Sequence, residues 1–137
     1  MSHKIVLFTV FAVIFLAAVL NVNAEEIKLR ITAPLDRAEV PERPFVEGTI
    51  TDPNVKLWVV VHPVGVSDYW VQPNVTIKED GTWKVKIYIG RPGAVDLDKQ
   101  FEILAVTDPE IVLTEGKVLD DWPNARCKSQ VIEVRRK

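Results

Sequence analysis

Val75-Thr76-Ile77-Lys78-Glu79-Asp80-Gly81-Thr82-Trp83-Lys84-Val85-Lys86-Ile87-Tyr88-Ile89 is the stretch on which the fold turns. An Asp-Gly pair sits between two runs of alternating character, and both residue types tolerate the positive φ of a tight hairpin turn. Beyond the turn, Trp83, Val85, Ile87 and Ile89 share one face of an extended strand, while Lys84, Lys86 and Tyr88 share the other. A slip of one residue would carry the lysines into the core, so the register is strongly specified.

Working outward, the same period recurs on both sides of the hairpin. Ile27, Leu29 and Ile31 alternate with Lys28 and Arg30. Phe45 to Ile50 reads as a second strand, and Val55 to His62 as a third that is apolar on both faces after Lys56. Such a strand is central, with something covering each side. Phe101 to Val106 and Gln130 to Val134 complete the readable set, with the tail Arg135-Arg136-Lys137 expected to fray. Nine Pro and six Gly punctuate the chain, and no window sustains helical spacing over three turns. The spacing predicts an all-β sandwich of seven to eight strands over about residues 26–135. Its core is expected to hold Leu57, Val59, Trp83, Val85, Ile87, Phe101, Ile103, Ile132 and Val134. Trp58 and Val60 point away from that set, and the apolar stretches left to cover them are Tyr69-Trp70 and residues 111–122.

The first 24 residues stand apart. Residues 5–20 are uncharged and apolar, preceded by His3-Lys4 and followed by Val22 and Ala24 at the −3 and −1 positions of a signal-peptidase site. That is a secretory signal peptide, with cleavage after Ala24 expected and an uncleaved anchor as the alternative. The remaining 25–137 form one domain. Loss of Lys4 takes the net charge from −2 to −3, which gives no electrostatic footprint for nucleic acid. No second apolar run reaches spanning length, so no membrane insertion is expected after cleavage. The lone cysteine, Cys127, excludes an intramolecular disulfide. Export points to a secreted or periplasmic location.

Ile31-x-x-Pro34, Ala38-Glu39-Val40, Phe45-Val46-Glu47-Gly48-Thr49 and Leu57-Trp58-Val59-Val60-Val61 together resemble the opening of bacterial immunoglobulin-like domains. With Tyr69-Trp70-Val71-Gln72 and the Asp80–Gly90 strand, the resemblance extends to uncharacterised secreted or envelope-associated modules. It implies an immunoglobulin-like β-sandwich and carries over no catalytic residue.

No catalytic constellation rises from the residues. His62 is the single histidine after the leader, at a strand end, and nothing local marks a nucleophile for it. A His62–Cys127 thiolate pair lacks any flanking signature. One histidine and one cysteine cannot build a zinc site, and Asp96-x-Asp98 and Asp120-Asp121 read as solvated loop charge rather than a calcium cage. Gly90-x-x-Gly93 precedes no helix and reads as a turn rather than a phosphate cradle. No metal or cofactor is implied, and the chain is not expected to be an enzyme.

Aromatic residues are the feature above background. Tyr69 and Trp70, adjacent and so on opposite faces of an extended strand, and Trp122 are the candidate ligand-binding residues. They lead to two readings: a non-catalytic module acting in protein interaction or as a structural accessory, and a carbohydrate-binding module that stacks a polysaccharide on these rings.

Overall fold

The computed structural model describes residues 26–137, so the leader expected over 1–24 lies outside the described residues. Eleven strands form two sheets: β1 (Leu29–Ala33), β2 (Ala38–Val40), β3 (Phe45–Ile50), β4 (Leu57–Pro63), β5 (Tyr69–Val71), β6 (Thr76–Ile77), β7 (Thr82–Lys86), β8 (Gln100–Pro109), β9 (Val118–Leu119), β10 (Ala125–Lys128) and β11 (Ile132–Arg136). One sheet runs β1-β3-β7-β6. The other runs β2-β11-β8-β4-β5-β9, with β10 added to β8. The chain is an all-β sandwich, with β1-β3-β7-β6 facing β11-β8-β4 across the core. Seven strands have four or more residues, and periodicity marks six of them, all but β10. β2, β5, β6 and β9 are too short to carry a period of their own. The apolar triplet Ile111-Val112-Leu113 forms no strand, and Leu113 joins the cover of the outer face of β4. β10 was hidden, because Ala125-Arg126-Cys127-Lys128 offers only two small or soft apolar side chains.

The hairpin forms with the expected register, Thr76 opposite Lys84 and Ile77 opposite Trp83. Its loop is Glu79-Asp80-Gly81, closed by Lys78 N–H donating to the Thr82 carbonyl at 2.8 Å. Gly81 alone takes positive φ, at 86°. Asp80 instead turns its carboxylate onto Thr82, accepting from the backbone N–H at 2.9 Å and the hydroxyl at 2.7 Å.

All nine expected core residues are buried together between the sheets. β4 explains its two-sided apolarity: it pairs β8 along its whole length and β5 on the other edge. Leu57, Val59 and Val61 face the inter-sheet core, while Trp58 and Val60 join Val71, Leu104, Val106, Leu113 and Leu119 in a second cluster on the outer side. Residues 110–125 wrap over that side, and Tyr69 and Trp122 pack against the cluster. Trp70 does not, contrary to expectation. Tyr69 and Val71 share the outer side of β5, so alternation turns Trp70 away from it.

β8 is long enough to pair two strands on one edge, β11 through residues 100–103 and β10 through residues 106–109. Ser129 fills the gap: its N–H donates to the Ala105 carbonyl at 2.9 Å, and Ala105 N–H donates to its hydroxyl at 2.9 Å. The outer edge of β1 is met in a similar way by the Gln130 side chain. Ile31 N–H donates to Gln130 Oε1 at 3.2 Å, and Gln130 Nε2 donates to the Ile31 carbonyl at 2.8 Å.

Candidate functional site

The three candidate aromatics divide between two places. Tyr69 and Trp122 belong to a ring cluster around His62 on the outer side of the larger sheet. His62 stacks on Tyr69 with centroids 4.0 Å apart and planes 7° apart. Trp122 stands edge-on to both, 4.8 Å from Tyr69 and 5.7 Å from His62. One face of Tyr69 is therefore already occupied. Partial burial, then the carboxylates of Asp121 and Glu102, push the Tyr69 phenol above its ordinary value.

His62 lies at the end of β4 opposite Glu102, with Nδ1 2.8 Å from Glu102 Oε1. That is the orientation in which an acid–base histidine is held. Nε2, however, meets the Val66 carbonyl oxygen, where a catalytic histidine would meet a hydroxyl or thiol. Both ring nitrogens are thus engaged within the fold, and neither faces a nucleophile. The geometry makes His62 a clamp on the 63–68 loop. Cys127 is remote from it: Cys127 pairs with Thr107, five residues along β8 from Glu102 and so about 17 Å away at strand rise. Its thiol donates to the Ile27 carbonyl at 3.1 Å, and burial pushes its pKa up. A buried, protonated thiol is a poor nucleophile. We expect Cys127 to react slowly with a disulfide reagent in the native protein and rapidly in urea; fast native labelling would show that β10 opens readily.

Trp70 projects to the other side of β5, 43% exposed, into a groove of about 880 Å³. The groove floor is Val61 and Phe101, both members of the inter-sheet core. It opens here because β6 pairs β7 only at Trp83 and Lys84, leaving the segment after β7 without a strand neighbour on that edge. Gln72 partly substitutes, its Oε1 accepting from Tyr88 N–H at 2.8 Å. Val64, Val66, Trp70 and Tyr88 line the groove and are each about half exposed. A mainly apolar concavity of this size with a few polar groups is the usual form of a binding site.

The far wall, residues 89–99, is an irregular loop held by two buried charges. Asp96, 5% exposed, accepts from Arg91 N–H at 2.7 Å, Arg91 Nε at 3.1 Å, Arg91 Nη2 at 3.0 Å and Lys99 Nζ at 3.0 Å. The Arg91 guanidinium, with the backbone N–H and Lys99, holds its carboxyl well below the usual carboxylate range. Arg136, 3% exposed, donates from Nη1 to the carbonyls of Ile89 (2.8 Å) and Arg91 (2.9 Å), and from Nη2 to that of Gly93 (2.7 Å) and to Glu42 Oε1 (3.4 Å). Both corrections have one cause. Asp96 is not solvated loop charge and Arg136 does not fray, because the loop's unpaired carbonyls and cations need buried partners. Asp98, by contrast, is exposed. A charge in a tail and another in a loop carry no local signal of such a role.

Because Trp70 packs against neither cluster, Trp70→Ala should change stability by less than about 1 kcal/mol in a denaturant titration. A loss of several kcal/mol would place the indole in the core. Among the described residues, no group of three or more His, Cys, Asp or Glu side chains converges as a metal site would. Comparison of the chain with family models, with curated proteins and with solved structures finds no match.

Proposed function

We propose that this chain is a non-catalytic, exported module, secreted or periplasmic, that works by holding a partner in the Trp70 groove. The observation that carries the reading is the groove itself: half-exposed Trp70, Val64, Val66 and Tyr88 over a floor of core residues, with a far wall braced by Asp96 and Arg136. A braced wall loses little freedom on binding, which favours affinity. The resemblance to bacterial immunoglobulin-like modules supports the same reading. The carbohydrate reading with Tyr69, Trp70 and Trp122 as one platform has less support, since Tyr69 and Trp122 are packed around His62 and Trp70 points the other way.

The test is a photoreactive benzophenone amino acid placed at position 70, and at exposed Val112 as a control, in cells that export the protein. A discrete polypeptide adduct at 70 and none at 112 is the expected result. A glycan adduct at 70 would favour the carbohydrate reading, and equal labelling at both positions would end the groove proposal. Mass spectrometry of the same material is expected to give Glu25 as the first residue; an intact Met1 terminus in the membrane fraction would mark the leader as an anchor.

A further inference from the structure

The chain is acidic overall, yet the outer face of the β1-β3-β7-β6 sheet is basic. Strand alternation puts it together: wherever Leu29, Ile31, Val46, Trp83 and Val85 turn into the core, their neighbours turn out. The cations there are Arg30, Lys78, Lys84 and Lys86, with Arg43 at the margin. Lys84 pairs with Glu47 on one side and Thr76 on the other, and Lys86 lies opposite Phe45. The surface is a shallow basin of about 540 Å³ whose lining includes Phe45, Thr49, Thr76, Lys78, Lys84 and Lys86. Phe45 is 48% exposed, with Lys84 Nζ 4.1 Å and Lys86 Nζ 5.7 Å from its ring centroid. At the margin the Arg43 guanidinium lies 3.6 Å over Tyr88.

Carboxylates do not balance this charge. Glu47 stands in the basin, and Glu79 and Asp80 lie at the hairpin tip, where Asp80 is turned onto Thr82. Among the described residues, none of Arg30, Arg43, Lys78, Lys84 and Lys86 forms an ion pair with a carboxylate. Like charges gathered on one face of an acidic domain repel one another unless an anion joins them. A nucleic acid strand would ask for a row of stacking rings, and a membrane for several protruding apolar side chains. This basin offers one exposed aromatic ring, a set of threonines and a flat lattice of cations.

We propose that this face binds an acidic polysaccharide, with its carboxylates paired to Lys84, Lys86 and Arg30 and a sugar ring laid against Phe45. The proposal does not rest on the groove, whose lining shares no residue with the basin. Polygalacturonate is the probe, titrated against the purified protein at low and at physiological salt, with neutral dextran, oligothymidylate and phosphatidylglycerol vesicles alongside. Expected are binding of polygalacturonate and not dextran, and weakening as salt screens the cations. The double variant Lys84→Gln/Lys86→Gln should bind roughly tenfold more weakly, Phe45→Ala should also bind more weakly, and Trp70→Ala should bind unchanged. Both lysines are exposed, so thermal unfolding of the double variant is expected to match the parent. No binding of polygalacturonate, or binding unaffected by the lysine and Phe45 changes, would overturn the proposal. Tighter binding of the oligonucleotide or the vesicles than of polygalacturonate would overturn it in favour of that partner.

Discussion

Trp83→Ala is expected to cost about 3–5 kcal/mol in a urea titration, the usual loss when a large aromatic site in a core is emptied. Trp83 is 2% exposed at the centre of the inter-sheet cluster. Its ring lies against Gly48 on the neighbouring strand, to which it is directly paired. A Cβ built on Gly48 would come within 2.2 Å of the indole and 2.0 Å of the Arg30 carbonyl oxygen. Backbone on one side and a packed ring on the other leave it nowhere to go. Gly48→Ala should therefore be destabilising on the same scale as emptying the site. Trp83→Phe is the informative contrast. The indole Nε1 is buried without a partner, so its removal forfeits no hydrogen bond, and the cost should be well below that of alanine. A loss under about 1.5 kcal/mol for Trp83→Ala would mean that the two sheets close over the gap.

Arg136→Met is expected to lower stability by about 3 kcal/mol or more, because it strands three carbonyls that Arg136 now satisfies. Arg136→Lys should not rescue it: one ammonium cannot span the fork that reaches Ile89, Arg91 and Gly93. Hydrogen exchange should localise the damage, with amides of residues 89–99 losing protection before those of β3 or β4. Unchanged melting for Arg136→Met would show that the loop holds without its guanidinium. Acid should act on the same loop. The Asp96 carboxyl is held below its ordinary value of 3.8, so its contribution is present above about pH 4 and is lost as pH falls through the lower folded value. Asp96→Asn should remove that acid-side loss along with part of the stability at neutral pH.

Much of the fold was legible because its strands obey a period of two. Trp83, Val85 and Ile87 show it within one strand, and the two-sided run Trp58-Val59-Val60-Val61 announced a covered outer face as well as a core. Where an element has two or three residues, as at Ala38–Val40 or Val118–Leu119, no period exists to read, and pairing is decided by neighbours distant in sequence. The candidate site was legible in part. That Tyr69 and Trp70 diverge follows from adjacency alone; which of them faces solvent depends on where residues 110–125 settle. Arg136 left no trace, since its partners are mainly backbone carbonyls, which every sequence has; Asp96 is joined to Arg91 and Lys99, and charges that close in sequence occur in any solvated loop.

Gln130 has a meaning beyond the single domain. An unpaired strand margin is a template on which a strand of another molecule can pair, the contact through which exposed sheets aggregate. By giving Ile31 an amide that mimics one peptide unit of a neighbour, the chain ends its own sheet with a side chain. A second molecule that approaches this strand then meets a margin that is already occupied.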